Sequence, residues 1–396
     1  MDGAFCDNEE YSQLCHIGTK NFGLCYPQSI DCNENIQRNI QMIPKIISSD
    51  DKGKEFAYID DNLHNDCSSI EPIDIKEYSD VEILPPNLKI CTWNVWGLLK
   101  YREPFMTWSL EKRINNIIDI ILEENIDIVC FQEISTPVYH KLIERLGKIY
   151  HFYEEVIDTE KTKVERNRDL ELLFISKYKA QKCTTFLLGG NLGYSNNLSI
   201  LEFPNLVLFG CYLQAGSKYS PGQEKKWLHY SRCRSEQLDT IYNLSNMYTD
   251  KNKIILGDIN FHLDGKLVDW PEIEILHQLK DDGFIDSFRT LFSDIYTFPG
   301  YTEDTHINLM RYNSKFMEKQ FRYDGILSKG LIPVDCKILG MNEIELTDDE
   351  IANMIEQFIM VKNIDKVRWS NHDDQSKHKL SLWPSDHFGI MCHFTE

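Results

Sequence analysis

The sequence predicts an α/β fold in which two packed sheets are flanked by helices. Short apolar runs with strand character outnumber helical stretches and often follow one another directly. The helical stretches are amphipathic, each with one apolar face to lay on a sheet. Polar segments rich in Asn, Asp, Glu and His sit at the ends of the apolar runs, where hydrolytic sites gather.

Leu88 to Trp93 alternates like a half-buried strand and runs into Thr92-Trp93-Asn94-Val95-Trp96-Gly97. Ser109 to Glu124 places Leu110, Ile114, Ile117, Ile118 and Ile121 on one face and reads as a helix. Ile126 to Phe131 reads as a buried strand ending in Gln132-Glu133-Ile134, and Pro137 to Leu146 as a second helix. Further strands are expected at Leu170 to Ile175, Leu198 to Leu201, Leu206 to Tyr212, Lys253 to Leu256, Phe321 to Leu327 and Phe388 to Phe394. A helix is expected from Ser231 to Met247. Two stretches read as insertions, Thr302 to Lys319 and the acidic Asn342 to Leu382, the latter with a short helix from Asp348 to Val361. No internal repeat is evident.

Residues 1–86 differ in character. They are acidic and Asn-rich with weak periodicity, and they close on Leu84-Pro85-Pro86-Asn87, where proline removes backbone donors and restricts its predecessor. They read as a partly ordered appendage to a catalytic domain at 87–396. Five of the twelve Cys lie there (Cys6, Cys15, Cys25, Cys32, Cys67), with His16 and His64. A zinc knuckle is conceivable, but these spacings are much wider than the pairs two to four apart that metal sites usually show, and a partly ordered appendage is the favoured reading.

The chain of 396 residues has a formal net charge of −20, unfavourable for non-specific duplex binding through phosphate neutralisation. A nucleic-acid substrate would have to be held by a local basic patch or by bound metal. Without CxxC pairs, a signal peptide or an apolar run long enough to span a bilayer, the chain reads as a protein with reduced thiols in the cytoplasm or nucleus.

Hydrolysis of a phosphodiester needs a metal to neutralise non-bridging oxygens, a positioned water and donors for developing charge. Mg²⁺ prefers hard carboxylate oxygens and keeps several waters, so one or two acids suffice. Glu133 is the first expected ligand and Asp386 the second. Asp258 and Asn260, two apart at a strand end, are expected to face one side, one acting on water and the other donating to phosphate. His387 offers charge to the phosphate oxygens, and Asp324 can orient it as a carboxylate does in other His-dependent sites.

In this order the segments resemble the endonuclease/exonuclease/phosphatase superfamily of metal-dependent phosphodiesterases, from about Leu88 to Phe394. The details are most similar to the 5′-tyrosyl-DNA phosphodiesterases: Thr92-Trp93-Asn94, Phe131-Gln132-Glu133-Ile134 before Pro137-Val138-Tyr139, Tyr296-Thr297, Asp304-Thr305, Arg322-Tyr323-Asp324, Ile338-Leu339-Gly340 and Pro384-Ser385-Asp386-His387-Phe388-Gly389. The resemblance implies a four-layer α/β/β/α sandwich of two mixed sheets, the DNase I-like fold. It implies Mg²⁺ or Mn²⁺ as cofactor and a DNA end or protein–DNA adduct as partner. It also gives Asn94 a phosphate or metal-shell contact, Glu133 metal ligation, Asp258 the nucleophilic water and Asn260 the phosphate.

The chain departs from that pattern in places. Trp96 stands where many relatives that cut nucleic acid carry an acid, and it would stack on an aromatic group of the substrate or fill a wall of the cleft. With Arg322 and Asn197 it is counted among the substrate-binding residues. Tyr212-Leu213-Gln214 replaces His-Leu-Glu and is similar to the apurinic/apyrimidinic endonucleases, as is Asp286-Ser287-Phe288-Arg289; the Tyr212 hydroxyl would donate to phosphate. Trp93 to Gly97 also resembles sphingomyelinase-type relatives. Abasic-site cleavage and phospholipid or inositol-phosphate hydrolysis are therefore the alternative activities, and a binding module without catalysis is the reading from another class.

Overall fold

The computed structural model describes residues 72, 74–98, 109–154, 170–188, 196–216, 224–359, 366–369 and 380–395. All belong to the compact unit His64–Glu396. Cys6, Cys15, Cys25, Cys32 and Cys67 lie outside the described residues. Among those described, no helix is long and apolar enough to cross a membrane.

In chain order the first strands are β1 (Asp74–Glu77), β2 (Asn87–Asn94), β3 (Ile128–Ile134), β4 (His151–Glu154), β5 (Leu170–Ser176), β6 (Lys182–Leu187) and β7 (Asn197–Glu202). They are followed by β8 (Leu206–Tyr212), β9 (Asn252–Asp258), β10 (Ile285–Asp286), β11 (Glu303–Asp304), β12 (Gln320–Phe321), β13 (Asp324–Lys329), β14 (Ile332–Leu339) and β15 (Gly389–Thr395). The helices are α1 (Leu110–Glu123), α2 (Thr136–Leu146), α3 (Glu224–Ser245), α4 (Ile273–Asp281), α5 (Ser287–Leu291), α6 (Leu309–Lys315) and α7 (Asp348–Ile359).

Two mixed sheets result, ordered β1-β6-β7-β8-β9-β13-β10 and β14-β15-β2-β3-β5-β4. Strand alternation divides the side chains between layers. Ile90, Ile128, Cys130 and Phe174 of one sheet meet Leu206, Leu208, Ile254, Leu256 and Ile326 of the other in a shared core. The alternate residues Cys91, Trp93, Val129 and Phe131 face α1 and α2, while Val207, Phe209 and Ile255 face α3 and α4. The outcome is the four-layer α/β/β/α sandwich that the sequence predicts.

Within each sheet one central pair is parallel, β2 with β3 and β8 with β9, and a helix intervenes between its members in the chain. Asn94 ends β2, Glu133 is the penultimate residue of β3, and Tyr212 and Asp258 end β8 and β9 as register partners. β13 runs antiparallel to β9 and begins at Asp324, opposite Asp258. β15 begins just after His387. Strand direction alone therefore delivers these side chains to one edge of the sandwich.

Three expectations need correction. Asp74–Glu77, inside the stretch read as an appendage, pairs with β6 as an edge strand, and Leu84 is buried in the inter-sheet core. The expected strand from Phe321 to Leu327 is broken at Arg322-Tyr323, whose backbone amides bond to His262 and Thr302 instead of a ladder. Cys336 and Cys392, register partners on β14 and β15, form a disulfide, so not all thiols are reduced. They are 56 apart in the chain, and only the strand pairing brings them together.

Candidate active site

The edge where the strands converge carries Asn94, Glu133, Tyr212, Asp258, Asn260, Asp324, Asp386 and His387, all buried. A continuous hydrogen-bonded path joins the two sheets there. The Tyr212 hydroxyl donates to Glu133 Oε1 at 2.7 Å. The Asn94 amide donates to the same Glu133 oxygen at 3.3 Å and to Asp258 Oδ2 at 3.0 Å. The other Asp258 oxygen accepts from the Asn260 backbone N–H at 3.0 Å. His387 Nδ1 donates to Asp324 Oδ2 across 2.8 Å.

Local backbone geometry aims these groups. Glu133 has φ 60°, Trp96 φ 50° and Asn260 φ 55°, a region that disfavours side chains such as Glu and Trp. At Trp96 the turn is stabilised by Asn94 Oδ1, which accepts from the Trp96 N–H at 3.0 Å. Gly97 donates to Glu133 O at 2.9 Å, and a Cβ there would lie 2.5 Å from that carbonyl, so only glycine fits. Asp258 and Asn260 are not on one extended strand as expected; β9 ends at Asp258, and a turn brings the Asn260 amide to Leu213 O at 3.0 Å.

The electrostatics follow from burial of several acids together. Burial raises the Glu133 carboxyl, Asp386 raises it further, and the bonds from Tyr212 and Asn94 only partly offset this. Burial and the neighbouring Asp324 push Asp258 up to about 8. Burial would lower His387, but Asp324, Asp386 and Asp258 outweigh it and hold the imidazole well above its ordinary value. Among the described residues Glu133 Oε2 has no hydrogen-bond partner. An unpaired buried carboxylate oxygen beside a second acid suits a hard divalent cation with oxygen ligands. Asp258, Asp324 and His387 also bring possible ligand atoms within 4.8 Å of one another. There His387 and Asp324 already bond each other.

Several residues expected at the substrate have other surroundings. Trp96 is 5% exposed and packs with Met310, Leu382, Trp383 and Phe388, so it fills a wall and offers no stacking face. Arg322 is fully buried and commits four of its five N–H donors to Asp264 and Asp286, away from solvent. The Tyr212 hydroxyl proton goes to Glu133 rather than to phosphate. Asn197 opens β7, buried beside the end of β8.

The stretch from Thr302 to Lys319, read as an insertion, is part of the site. Thr302 Oγ1 accepts from the Tyr323 and Asp324 amides, each at 3.0 Å, and the Asn308 amide donates to Ser385 O at 2.8 Å. Arg311 reaches Glu303 at 2.5 Å and Asp386 at 3.4 Å, and Lys319 binds Glu303 at 2.9 Å. Burial would raise Glu303, but Arg311 and Lys319 prevail and hold it down at about 2. Sequence reasoning missed these three because neither their pairing with one another nor the reach of Arg311 to Asp386 is visible in the order of residues.

Comparison with known proteins agrees with this architecture. D. rerio TDP2 complexed with a single-strand DNA product superposes with a TM-score of 0.53 at 18% identity, over 79% of this chain and 100% of that one. An endonuclease/exonuclease/phosphatase family protein from Bacteroides thetaiotaomicron gives 0.52 at 12% identity, over 79% and 98%. Staphylococcus aureus beta toxin gives 0.50 at 17% identity, over 77% and 99%. At these identities the likeness is one of fold. No curated protein matches the sequence. The profile of the Endonuclease/Exonuclease/phosphatase family matches residues 91–387, which include every strand-end residue of the site, and the chain belongs to that family.

Proposed function

We propose that the chain hydrolyses phosphodiesters with a divalent cation, Mg²⁺ or Mn²⁺, held by Glu133 and Asp386, and that DNA ends carrying a 5′ adduct such as a tyrosyl group are its substrates. The observation that carries the hydrolytic reading is the path Tyr212–Glu133–Asn94–Asp258, which fixes an acid for metal and an acid for water in one bonded unit. The cation would neutralise the non-bridging phosphate oxygens. Asp258, in its ionised form, takes the proton of the attacking water as the new P–O bond forms. Asn94 holds Asp258 and Glu133 in fixed register. His387, oriented by Asp324, would present its remaining N–H to the phosphate oxygens while the bond to the leaving oxygen breaks; that oxygen departs with the electron pair and takes a proton from solvent. Asn260 lies beside Asp258 to contact phosphate.

The DNA-end assignment is supported by the sequence motifs and by the likeness to a TDP2 that holds a single-strand DNA product. A panel of 5′-tyrosyl oligonucleotide, abasic duplex, sphingomyelin and inositol phosphates tests it. Turnover is expected on the tyrosyl oligonucleotide, lost in EDTA and restored by Mg²⁺. Turnover confined to sphingomyelin would move the substrate class to phospholipid. Undiminished turnover in EDTA, or none on any phosphodiester, would refute the hydrolytic mechanism.

A further inference from the structure

A fully buried cation lies behind the site. Arg113, in the first turn of α1, is 0% exposed, and among the described residues it forms no ion pair at hydrogen-bond distance. Its donors go to backbone carbonyls instead. Nη1 donates to Val95 O at 3.2 Å and to Pro384 O at 3.1 Å, and Nη2 donates to Trp96 O at 3.0 Å. The guanidinium also lies 5.5 Å from the centre of the Trp96 ring. Nε has no acceptor among the described residues.

A buried charge that answers only carbonyls is costly, and hydrophobic residues would fill the same space more cheaply. The three carbonyls explain its presence. Val95 and Trp96 follow Asn94 directly, and Pro384 precedes Ser385, Asp386 and His387. The two loops lie 288 to 289 positions apart in the chain, and one planar fork spans both. On its other side the first loop is tied to β3, with Val95 N–H donating to Gln132 O at 3.1 Å and Gly97 N–H to Glu133 O at 2.9 Å. Ser385 Oγ adds a 2.7 Å bond to Asn94 O. The charges that compensate the guanidinium are Asp386 and Glu133, the two proposed cation ligands.

We propose that Arg113 is a positioning residue that fixes the spacing between the Asn94–Glu133 side of the site and the Asp386–His387 side. It touches no reacting atom. The proposal rests on the hydrolytic reading above, and it commits to fork geometry rather than charge alone. Lysine keeps the charge but is a point donor that cannot hold three divergent carbonyls in one plane.

Two variants test it, Arg113→Lys and the similarly sized, uncharged Arg113→Met. Each is assayed at a temperature where its unfolding curve shows it fully folded, and each is titrated with Mg²⁺ alone by calorimetry. Displacement of catalytic groups by about 1 Å costs roughly 10²-fold. The expected result is therefore a fall in kcat of about that size in both folded variants, with KM within a few-fold and weaker Mg²⁺ binding in the lysine variant. A lysine variant with wild-type kcat and Mg²⁺ affinity would overturn the proposal, as would a folded, fully active methionine variant. Loss of folding in both would make Arg113 a stability residue and equally overturn it. Failure of the hydrolytic reading is distinguishable, because wild type itself would then neither bind Mg²⁺ nor turn over a phosphodiester.

Discussion

Glu133 combines features that stability alone would not retain. Its backbone is left-handed at φ 60°, its carboxylate is buried, and one oxygen has no partner among the described residues. Sequence order had marked Glu133 because it ends an apolar strand, yet neither the backbone conformation nor the unpaired oxygen is visible in a string of residues. The sign of its stability effect follows from its raised carboxyl. Burial and Asp386 disfavour the ionised form in the folded state, so ionisation above the ordinary carboxyl range weakens folding. Glu133→Gln removes that penalty and keeps the bond-accepting oxygen for Tyr212 and Asn94. Turnover should drop by at least about 10², the scale at which lost electrostatic stabilisation is felt, while the melting temperature stays equal or rises. Retained turnover, or a variant that melts well below wild type, would show that Glu133 serves the fold rather than the chemistry.

The elements show where sequence periodicity ends as a guide. β2, β3, β8 and β9 were legible because each is an apolar run buried on both faces, the pattern expected of sandwiched parallel pairs. β1 was not, because Asp-Ile-Lys-Glu at a sheet edge has an alternating, half-exposed pattern in an acidic context. Its contribution can nevertheless be weighed. β1 pairs over four residues with β6, Tyr78 meets the Tyr153 ring edge-on at 5.2 Å, and Leu84 is 3% exposed in the inter-sheet core. Burial of a leucine alone is worth about 2 kcal/mol. Residues 64–396 and residues 87–396 should therefore differ, the shorter fragment unfolding at lower urea with a loss of at least about 2 kcal/mol. Equal urea midpoints for the two fragments would mean that β1 adds nothing to the sandwich and that the boundary at residue 86 was drawn correctly.

At the scale of the molecule, what sequence could not show is how distant segments are pinned together by charge. Arg322 was counted among the substrate-binding residues; in the fold it is the buried centre of a partly buried cluster with Asp264, Asp286 and Arg289. Arg289 adds carbonyl contacts to Phe292, Phe298 and Pro299, so the turn after β9, the start of α5 and the approach to β13 are held as one body. Burial would raise Asp264, but its bonds from Arg289 and Arg322 prevail and hold its carboxyl well below the ordinary range. An acid depressed in the folded state contributes stability that is present above its unfolded pKa, near 4, and lost as pH falls through the lower folded value. Asp264→Asn should thus cost about 3 kcal/mol at neutral pH, the scale for breaking a buried charge cluster. The gap between wild type and variant in urea unfolding should be constant from pH 7 to 5 and should narrow steadily below about pH 4. A gap that stays the same down to pH 2.5, or widens, would mean that Asp264 stabilises the fold by shape and neutral hydrogen bonding, and that the cluster's charges cancel without net effect.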